Sequence, residues 1–427
     1  MKEARTLARA ITRIVAVVVC GIVILVAAFA AWASRPSIAA VARPRPSQFS
    51  SALVERGRAL AMIGNCASCH TTNDGPAFAG GVPISTGFGT IYGSNITPDE
   101  STGIGRWSEQ AFARALREGV SRDGQQLYPA FPYDHFTELG DTDIEALYAF
   151  LMSRPAVHHD TPGNRLILPL RFRPFIEGWK WLYFRPHRFT GNDPGAYFAE
   201  ALAHCGACHT PHNSLGAELR NRSYSGGWVD GWYAPPLNQL SPAVRPWTAD
   251  ALNEFLRTGL SKTHAAAAGP MGEVSRNLSR APPAAVGALA AYFARNMQAA
   301  SANENPPSLT DRASLAQRQY PLGAALFAGA CSSCHEPGAR MMTEGRPALA
   351  LGSPLHETNP RNTIAIILDG LSPPASASGP YMPAFGDTFT DQQVADIVTY
   401  LHARFGSGAE WQNVGADVGR ARKRANP

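Results

Sequence analysis

The pattern Cys-X-X-Cys-His occurs three times in this chain, and it constrains the fold more strongly than any other feature of the sequence. The copies are Cys66-Ala-Ser-Cys69-His70, Cys205-Gly-Ala-Cys208-His209 and Cys331-Ser-Ser-Cys334-His335. In such a motif both thiols form thioether bonds to one haem, and the adjacent histidine ligates its iron. The sequence therefore predicts three covalent haem c groups, held by the six motif cysteines, with His70, His209 and His335 as proximal ligands.

The cysteine count favours haem over a zinc site or a disulfide. Six of the seven cysteines lie in the three motifs, and the seventh, Cys20, lies in an apolar N-terminal run. A zinc knuckle needs further Cys or His at short spacing, and no such pattern repeats here. No thiols remain for structural disulfides. Haem attached in this way belongs on the outer face of a membrane, in a compartment that permits thiol oxidation.

The N-terminus predicts a single membrane span. An uncharged run covers residues 14–32, close to the ~20 residues that cross a bilayer as a helix. The basic residues before it favour an N-terminus on the inside; they are Lys2, Arg5, Arg9 and Arg13. We therefore expect a chain anchored in the inner membrane, with its haem domains on the periplasmic side. A cleaved signal peptide is the alternative, because Ala31-Trp32-Ala33 fits a small-residue cleavage site.

The body of the chain repeats around the three motifs. A helix-like stretch containing glycine precedes each motif, and an amphipathic helix ends each repeat. The apolar positions of these last helices follow i, i+3, i+4, i+7 spacing; they are Ile144, Leu147, Tyr148 and Leu151, then Val286, Leu289, Ala290 and Phe293, then Val394, Ile397, Val398 and Leu401. Small cytochrome c domains are built this way, so the sequence predicts an all-α fold of three tandem cytochrome c-type domains. Only short runs such as residues 89–95 resemble strands.

Composition places the domain boundaries. The expected order is a membrane anchor at 1–33, a tether at 34–51, domain 1 at 52–155, an aromatic linker at 156–188, domain 2 at 189–298, a second linker at 299–320, domain 3 at 321–406 and a basic tail at 407–427. The aromatic linker is too apolar for a free segment, so it either packs between domains 1 and 2 or contacts the membrane surface or a partner subunit. We expect the tail to be solvated, with contact to anionic lipid as the alternative. The net charge of +5 is small, and nucleic-acid binding is not indicated.

Two methionines are candidate sixth ligands of iron. Met271 lies in a Gly-Pro-Met-Gly loop and Met382 in a Tyr-Met-Pro loop, and each precedes the last helix of its repeat at a similar distance. A loop bounded by Gly or Pro suits a distal ligand. A lone Met usually fills a core, but its recurrence at the same place favours ligation of iron.

The first repeat has Phe131 where the others have methionine. Phe131 follows the proximal histidine by 61 positions, and Met271 follows its own by 62. Phenylalanine cannot ligate iron, so we expect His135, four residues later, to take that place. A five-coordinate or water-bound iron is the alternative, and Met152 in the last helix is a further candidate.

These residues also carry a family resemblance. Its marks are Ser94-Asn95-Ile96-Thr97-Pro98-Asp99, Thr102-Gly103-Ile104-Gly105-Arg106-Trp107, the run at 116–124 and the run at 264–271. The chain resembles the triple-haem cytochrome c subunits of membrane-bound periplasmic dehydrogenases that act on alcohols, gluconate or aldehydes. Alcohol-type members usually carry Met at the position of Phe131. The Pro-Ala-Phe-Pro-Tyr-Asp-His-Phe version resembles the cytochrome partners of molybdenum-containing aldehyde, isoquinoline or nicotinate oxidoreductases.

The resemblance implies an electron-transfer subunit. It would take electrons from a dehydrogenase catalytic subunit with molybdopterin, accompanied by an iron–sulfur subunit, and pass them to membrane quinone or a terminal oxidase. The cytochrome subunit of a quinoprotein or flavoprotein alcohol or gluconate dehydrogenase is one alternative. The sequence carries no dinucleotide fingerprint, nucleophile–base pair, molybdenum motif or flavin motif, so no substrate site of its own is expected. A peroxidase-like multihaem enzyme with an open first haem is the alternative of another class, and only Phe131 favours it.

Overall fold

The structure, a computed structural model, describes residues 2–298, 311–336, 338–339, 346–371 and 381–425. Its helices are α1 (Lys2–Ala33), α2 (Ser51–Ile63), α3 (Cys66–His70), α4 (Glu109–Glu118), α5 (Tyr133–Phe136), α6 (Asp141–Met152), α7 (Phe175–Tyr183), α8 (Pro194–Tyr197), α9 (Gly206–His209), α10 (Ala249–Thr258), α11 (Pro270–Leu278), α12 (Pro283–Gln298), α13 (Ala313–Gln319), α14 (Pro321–Ala330), α15 (Ser332–His335), α16 (Arg361–Asp369), α17 (Asp391–Phe405) and α18 (Val414–Ala425). Two small antiparallel sheets accompany them: β1 (Pro83–Thr86), β2 (Gly89–Tyr92) and β3 (Arg165–Leu166) form one, and β4 (Gly227–Val229) and β5 (Trp232–Ala234) form the other. The helical character is confirmed, and the short strands are an addition to the predicted all-α fold.

Among the helices of the described ranges, α1 alone is long and apolar enough to cross a membrane. Residues Ala10–Ala33 form 24 helical residues. At 1.5 Å per residue this is about 36 Å, which exceeds the ~30 Å hydrocarbon core of a bilayer. Length and composition fit a membrane span and a signal peptide alike. The end of the helix is fastened to the first repeat, because Nε2 of Gln126 donates to the Ala33 carbonyl oxygen at 2.9 Å.

In each repeat, the glycine-containing first helix crosses the last helix at that glycine. A Cβ on Gly57 would collide with the carbonyl oxygen of Ala146 and lie 2.7 Å from the Cβ of Phe150. The same relation joins Gly195 to Ala288 and Tyr292, and Gly323 to Asp396 and Tyr400. Because only a residue without Cβ permits so close an approach, these glycines determine where α2 crosses α6, α8 crosses α12 and α14 crosses α17.

The apolar faces predicted for the three last helices are buried. Each of their twelve residues is at most 7% exposed, so the predicted amphipathic helices are confirmed. Burial of a side chain such as Leu147 or Phe293 stabilises the fold by ~1.5–3 kcal/mol relative to exposure. The first and second repeats share one apolar core, and the third has its own.

The aromatic linker packs against both of the first two repeats through one side of α7. Nε1 of Trp179 donates to the Leu215 carbonyl oxygen at 2.9 Å in the second repeat. Tyr133 of the first repeat contacts the rings of Trp179 and Phe184, with ring centres 6.4 Å and 5.2 Å away. The linker therefore positions these two repeats, as the first of its two predicted roles requires. The opposite side of α7 remains exposed.

The third repeat joins the second through Asn362, in the first turn of α16. Its Oδ1 accepts from Tyr233 N at 2.9 Å and its Nδ2 donates to Tyr233 O at 2.7 Å, so the side chain pairs with β5 as a neighbouring strand would. Asn164 makes one hydrogen bond of the same kind to β2 of the first repeat: its Oδ1 accepts from Tyr92 N at 2.9 Å. Nδ2 of Asn362 also lies 3.0 Å from each carboxylate oxygen of the buried Glu357.

The C-terminal segment differs from the predicted solvated tail. It forms α18, which packs on α16 and α17 through Val414, Val418 and Ala421, three buried residues spaced i, i+4, i+7. Arg422 also donates from Nη2 to the Phe389 carbonyl oxygen at 2.9 Å. The apolar spacing, rather than the surrounding basic residues, decides where this segment lies. Most of the predicted second linker, residues 299–310, lies outside the described residues.

Candidate haem sites

Each Cys-X-X-Cys-His motif forms a short helical turn that follows the first helix of its repeat; in the second repeat a π-helical segment, Phe198–Leu202, lies between them. The turns are α3, α9 and α15, and each ends at the motif histidine. Asn65 and His204, which precede the first cysteine in the first two repeats, have left-handed backbones with φ of 52° and 41°. This sharp entry lets the chain leave one helix and start the motif turn. None of the six motif cysteines forms a disulfide.

The proximal histidines of the first two repeats are oriented by their neighbours. Nδ1 of His70 lies 2.6 Å from the Ser94 carbonyl oxygen, and Nδ1 of His209 lies 2.6 Å from the Pro235 carbonyl oxygen. Because a carbonyl oxygen only accepts, Nδ1 must carry the proton, which leaves the lone pair on Nε2. Such a second hydrogen bond is what typically fixes the tautomer of a metal-ligating histidine. The sequence motif alone did not identify Ser94 or Pro235.

The first cysteine of each motif packs against an apolar core. Burial raises the pKa of Cys66 to about 12, and burial together with the charge of Glu273 raises the pKa of Cys69 to about 11. Burial likewise raises the pKa of Cys331 to about 11. Two thiols at one turn and a histidine with a free Nε2 fit a thioether-bound haem.

Glycine brings the following hairpin onto each of the first two motifs. A Cβ on Gly93 would collide with the carbonyl oxygen of Cys69, and a Cβ on Gly227 with that of Cys208. Both glycines lie in a hairpin that follows its motif, at the end of β2 and at the start of β4. These contacts were not predicted, and the two glycines follow their motif histidines at different distances, 23 and 18 residues.

The distal loops of the first two repeats have the same backbone hydrogen bonds. Each begins at a left-handed glycine that ends a helix, Gly119 (φ 61°) and Gly259 (φ 74°). The glycine carbonyl accepts from Leu127 N at 2.7 Å in one repeat and from Ala267 N at 2.8 Å in the other. Phe131 N then donates to Tyr128 O at 3.0 Å, and Met271 N donates to Ala268 O at 3.2 Å. Phe131 and Met271 therefore occupy equivalent turns.

Both predicted methionines are half-buried at the edge of a core. Met271 packs against the shared core of the first two repeats, and Met382 against the core of the third. The loop before Met271 closes on β5, because a Cβ on Gly269 (φ 51°) would collide with the Trp232 ring. Met382 O accepts from Leu371 N at 3.0 Å. Iron ligation by either methionine stays a prediction. Residues 372–380, which precede Met382, lie outside the described part of the chain.

His135 makes hydrogen bonds through both ring nitrogens. Nδ1 lies 2.6 Å from the Glu200 carbonyl oxygen and Nε2 lies 2.7 Å from Oε1 of Glu218. Both partners belong to the second repeat, and the His135 ring lies beside Gly206 in the second motif. To ligate iron, His135 would have to give up one of these two bonds. Its ligation of the first haem stays an untested prediction, and the geometry gives it a different role as a bridge between repeats.

A reciprocal contact comes from the second repeat. Nδ2 of Asn277, on α11, lies 3.4 Å from Oγ of Ser68 in the first motif. Burial, together with the charge of Cys69, raises the pKa of Cys208 to about 11. Asn277 on α11 of the second repeat thus lies beside the first motif, and His135 on α5 of the first repeat lies beside the second motif. The first two candidate haem sites are therefore neighbours.

The crossed helices, unpaired motif thiols and oriented histidines define a c-type cytochrome. Two family models agree with this class. The cytochrome c family matches residues 54–155, and subunit III of cbb3-type cytochrome c oxidase matches residues 318–401.

Similar proteins show which kind of c-type cytochrome this chain is. The chain is 34% identical to the fructose dehydrogenase cytochrome subunit of Gluconobacter japonicus, over 85% of this chain and 82% of that protein. It is 34% identical to the gluconate 2-dehydrogenase cytochrome c subunit of Pantoea cypripedii, over 88% of this chain and 91% of that protein. This chain belongs to the family of cytochrome c subunits of dehydrogenases.

A third relative is much longer than this chain. It is a nicotinate dehydrogenase subunit of Pseudomonas putida, 43% identical over 92% of this chain, but the match covers 34% of that protein. The chain therefore spans about a third of this relative's length.

Proposed function

We propose that this chain is the electron-transfer subunit of a periplasmic dehydrogenase complex and carries three covalent haem c groups. The three cytochrome c domains would cover 52–155, 189–298 and 321–406, after an inner-membrane anchor formed by α1. Bound haem supplies the one-electron redox chemistry. The chain itself attaches the haems, orients their ligands and keeps water from them.

The observation that carries the proposal is the orientation of His70 and His209. In both, Nδ1–H donates a hydrogen bond to a backbone carbonyl oxygen, so the lone pair on Nε2 is available to iron. The equal helix crossings at Gly57, Gly195 and Gly323 support a third domain of the same kind. The proposed thioether residues are Cys66, Cys69, Cys205, Cys208, Cys331 and Cys334, and the proposed iron ligands are His70, His209, His335, Met271 and Met382.

For the first haem we propose that His70 would be the one iron ligand supplied by this chain. Phe131 occupies the turn that holds Met271 in the second repeat, and its side chain packs on Phe136 with ring centres 5.4 Å apart. Both ring nitrogens of His135 are engaged in hydrogen bonds, to the Glu200 carbonyl oxygen and to the Glu218 carboxylate.

The partner is proposed to be a molybdenum-containing catalytic subunit, accompanied by an iron–sulfur subunit. The Phe131 version of the distal loop supports this choice over an alcohol-type quinoprotein or flavoprotein partner. The acceptor would be membrane quinone or a terminal oxidase, which suits a chain whose α1 is a candidate membrane span.

Haem counting tests the cofactor proposal. A pyridine haemochrome assay of the mature chain should give three haems per chain. Cys69→Ala, Cys208→Ala and Cys334→Ala should each remove or weaken one attachment. Two haems in the wild-type chain would contradict the proposal.

Reduction by the copurified complex tests the function. After extraction in mild detergent, the substrate of the copurifying catalytic subunit should reduce the haems of this chain, and quinone should reoxidise them. A chain that turns over peroxide on its own, and that no dehydrogenase reduces, would favour the peroxidase-like alternative.

A further inference from the structure

Exposed apolar side chains concentrate on one short segment beside the N-terminal helix. Twelve large apolar side chains after α1 are exposed in the part of the chain that the structure describes. Six of them lie in residues 167–182, and we call these six the linker face: Ile167, Leu168, Phe172, Phe175, Trp181 and Leu182. Leu168 is 76% exposed and Trp181 is 65% exposed. Such a contiguous apolar patch indicates a contact surface rather than a water-facing loop.

The same segment is strongly basic. Residues 161–192 contain one acidic residue, Glu177, and six Arg or Lys: Arg165, Arg171, Arg173, Lys180, Arg185 and Arg188. Glu177 is buried and forms an ion pair with Arg35, so it offers no exposed negative charge. Arg165, Arg171, Arg185 and Arg188 are exposed. Positive charge around apolar side chains complements an anionic lipid surface.

The linker face is continuous with the end of α1. The ring of Phe175 contacts the ring of Phe29, with centres 5.7 Å apart, and Phe172 contacts Phe175 at 5.6 Å. Arg35, just after α1, pairs with Glu177 on α7. Lys180 holds α7 to the first repeat through Oε1 of Gln126, the same side chain that bonds the end of α1.

These contacts fix the depth of α7 relative to the helix. Phe29 lies four residues before the end of α1 at Ala33, which is about 6 Å along the axis. If α1 spans the bilayer, Phe175 lies at the same depth as Phe29, in the boundary between headgroups and acyl chains. Trp residues such as Trp32 and Trp181 are enriched at that boundary.

We propose that the linker face lies in the outer leaflet of the membrane and holds the first repeat against the bilayer surface. The proposal rests on the proposed function only in taking α1 as a membrane span. Apolar side chains then enter the headgroup boundary, and the exposed arginines contact anionic lipid. A partner protein is less well matched to this face, because the face continues onto a helix that itself would be surrounded by lipid.

Nitroxide labels can measure this depth in the full-length, haem-loaded chain. Cys20→Ala removes the free thiol, and single cysteines then replace Leu168 or Trp181. Leu240→Cys is the matched control, since Leu240 is 66% exposed but lies far along the chain from the linker. In vesicles that contain phosphatidylglycerol, labels at 168 and 181 should show a severalfold higher ratio of oxygen to nickel-chelate accessibility than the label at 240.

A label in place of Val18 separates the two possible failures. If the label at 18 is protected from the nickel chelate and the label at 181 is not, the linker face is outside the bilayer and this proposal is wrong, while the anchor stands. If the label at 18 is also accessible to nickel, the anchor itself is wrong. Protection at 181 that arises only on adding the catalytic subunit would assign the face to a protein partner and overturn the proposal.

Discussion

Nε2 of His135 in the first repeat lies 2.7 Å from Oε1 of Glu218 in the second, and both side chains are largely buried. Burial alone would lower the pKa of His135, but the hydrogen bond and charge of Glu218, with the charge of Asp134, raise it to about 9. Burial by itself would raise the pKa of Glu218, but the hydrogen bond to His135 and its charge outweigh burial. The pKa of Glu218 therefore lies below its ordinary value. The two repeats are therefore joined by an ion pair at neutral pH.

This pair should make the junction between the first two repeats sensitive to alkaline pH. The pKa of His135 rises from an ordinary 6.5 to about 9, so its contribution is complete below pH 6.5 and is lost as the pH rises to 9. At 1.36 kcal/mol per pKa unit, the loss is at most about 3 kcal/mol. The Tm difference between wild type and His135→Gln should shrink between pH 6.5 and 9. A difference that stays constant over this range would show that His135 is neutral in the folded chain.

Two glycines of the second repeat should respond oppositely to the same substitution. Gly195→Ala places a Cβ against the Ala288 carbonyl oxygen, which must push α8 away from α12. We expect a loss of ~1–3 kcal/mol in the free energy of unfolding, as for other overpacked contacts. Gly287→Ala is the matched control, because its Cβ meets nothing within 4 Å and alanine favours helix by ~1 kcal/mol. Denaturant titrations of both variants would contradict the crossing geometry if they shifted in the same direction.

Local pattern predicted the parts of the fold that depend on neighbours in sequence. The spacing of Val394, Ile397, Val398 and Leu401 requires one buried helix face whatever lies opposite, and the motif requires a turn that presents two thiols and a histidine. The segment of α18 carried an equally clear signal in its own buried apolar residues. Its basic residues suggested a solvated tail, but arginines such as Arg422 reach back to carbonyl oxygens of the fold.

Contacts between repeats could not be predicted in this way. His135 and Glu218 are 83 positions apart, and nothing near either residue indicates the other. The spacing of His135 from Phe131 within its own repeat predicts a substitute ligand, and it carries no sign of the hydrogen bonds that His135 makes to the second repeat. The Asn362 pairing with β5 depends on two separate repeats and is equally invisible to local spacing.

Glu357 should make the contact between the second and third repeats weaken as the pH rises. Burial raises its pKa from an ordinary 4.5 to about 8, so its neutral form stabilises the fold and this contribution is lost between pH 4.5 and 8. Glu357→Gln keeps an oxygen for Nδ2 of Asn362 and cannot ionise. The Tm of this variant should fall less than that of wild type between pH 5 and 8. Glu410→Gln, at an exposed position, should lose Tm with pH as wild type does. If Tm falls equally with pH in all three proteins, Glu357 does not cause the pH dependence.

The equivalence of Phe131 and Met271 predicts that their roles can be exchanged. In the reduced wild-type chain, one haem of three should bind carbon monoxide, because Phe131 offers no ligand and His135 is held by Glu218. His135→Ala should leave that count unchanged. If it instead opens a haem that was closed in wild type, His135 is the ligand after all.

Phe131→Met should close the first haem. The new thioether would lie in the turn whose backbone bonds match those around Met271. It should abolish carbon monoxide binding and strengthen the sulfur-to-iron band near the red end of the spectrum, and it should raise the potential of one haem, since thioether sulfur favours reduced iron. Met271→Phe is the reciprocal control: it should open the second haem and weaken the same band. A Phe131→Met chain that still binds one carbon monoxide would show that this turn does not face the iron of the first haem.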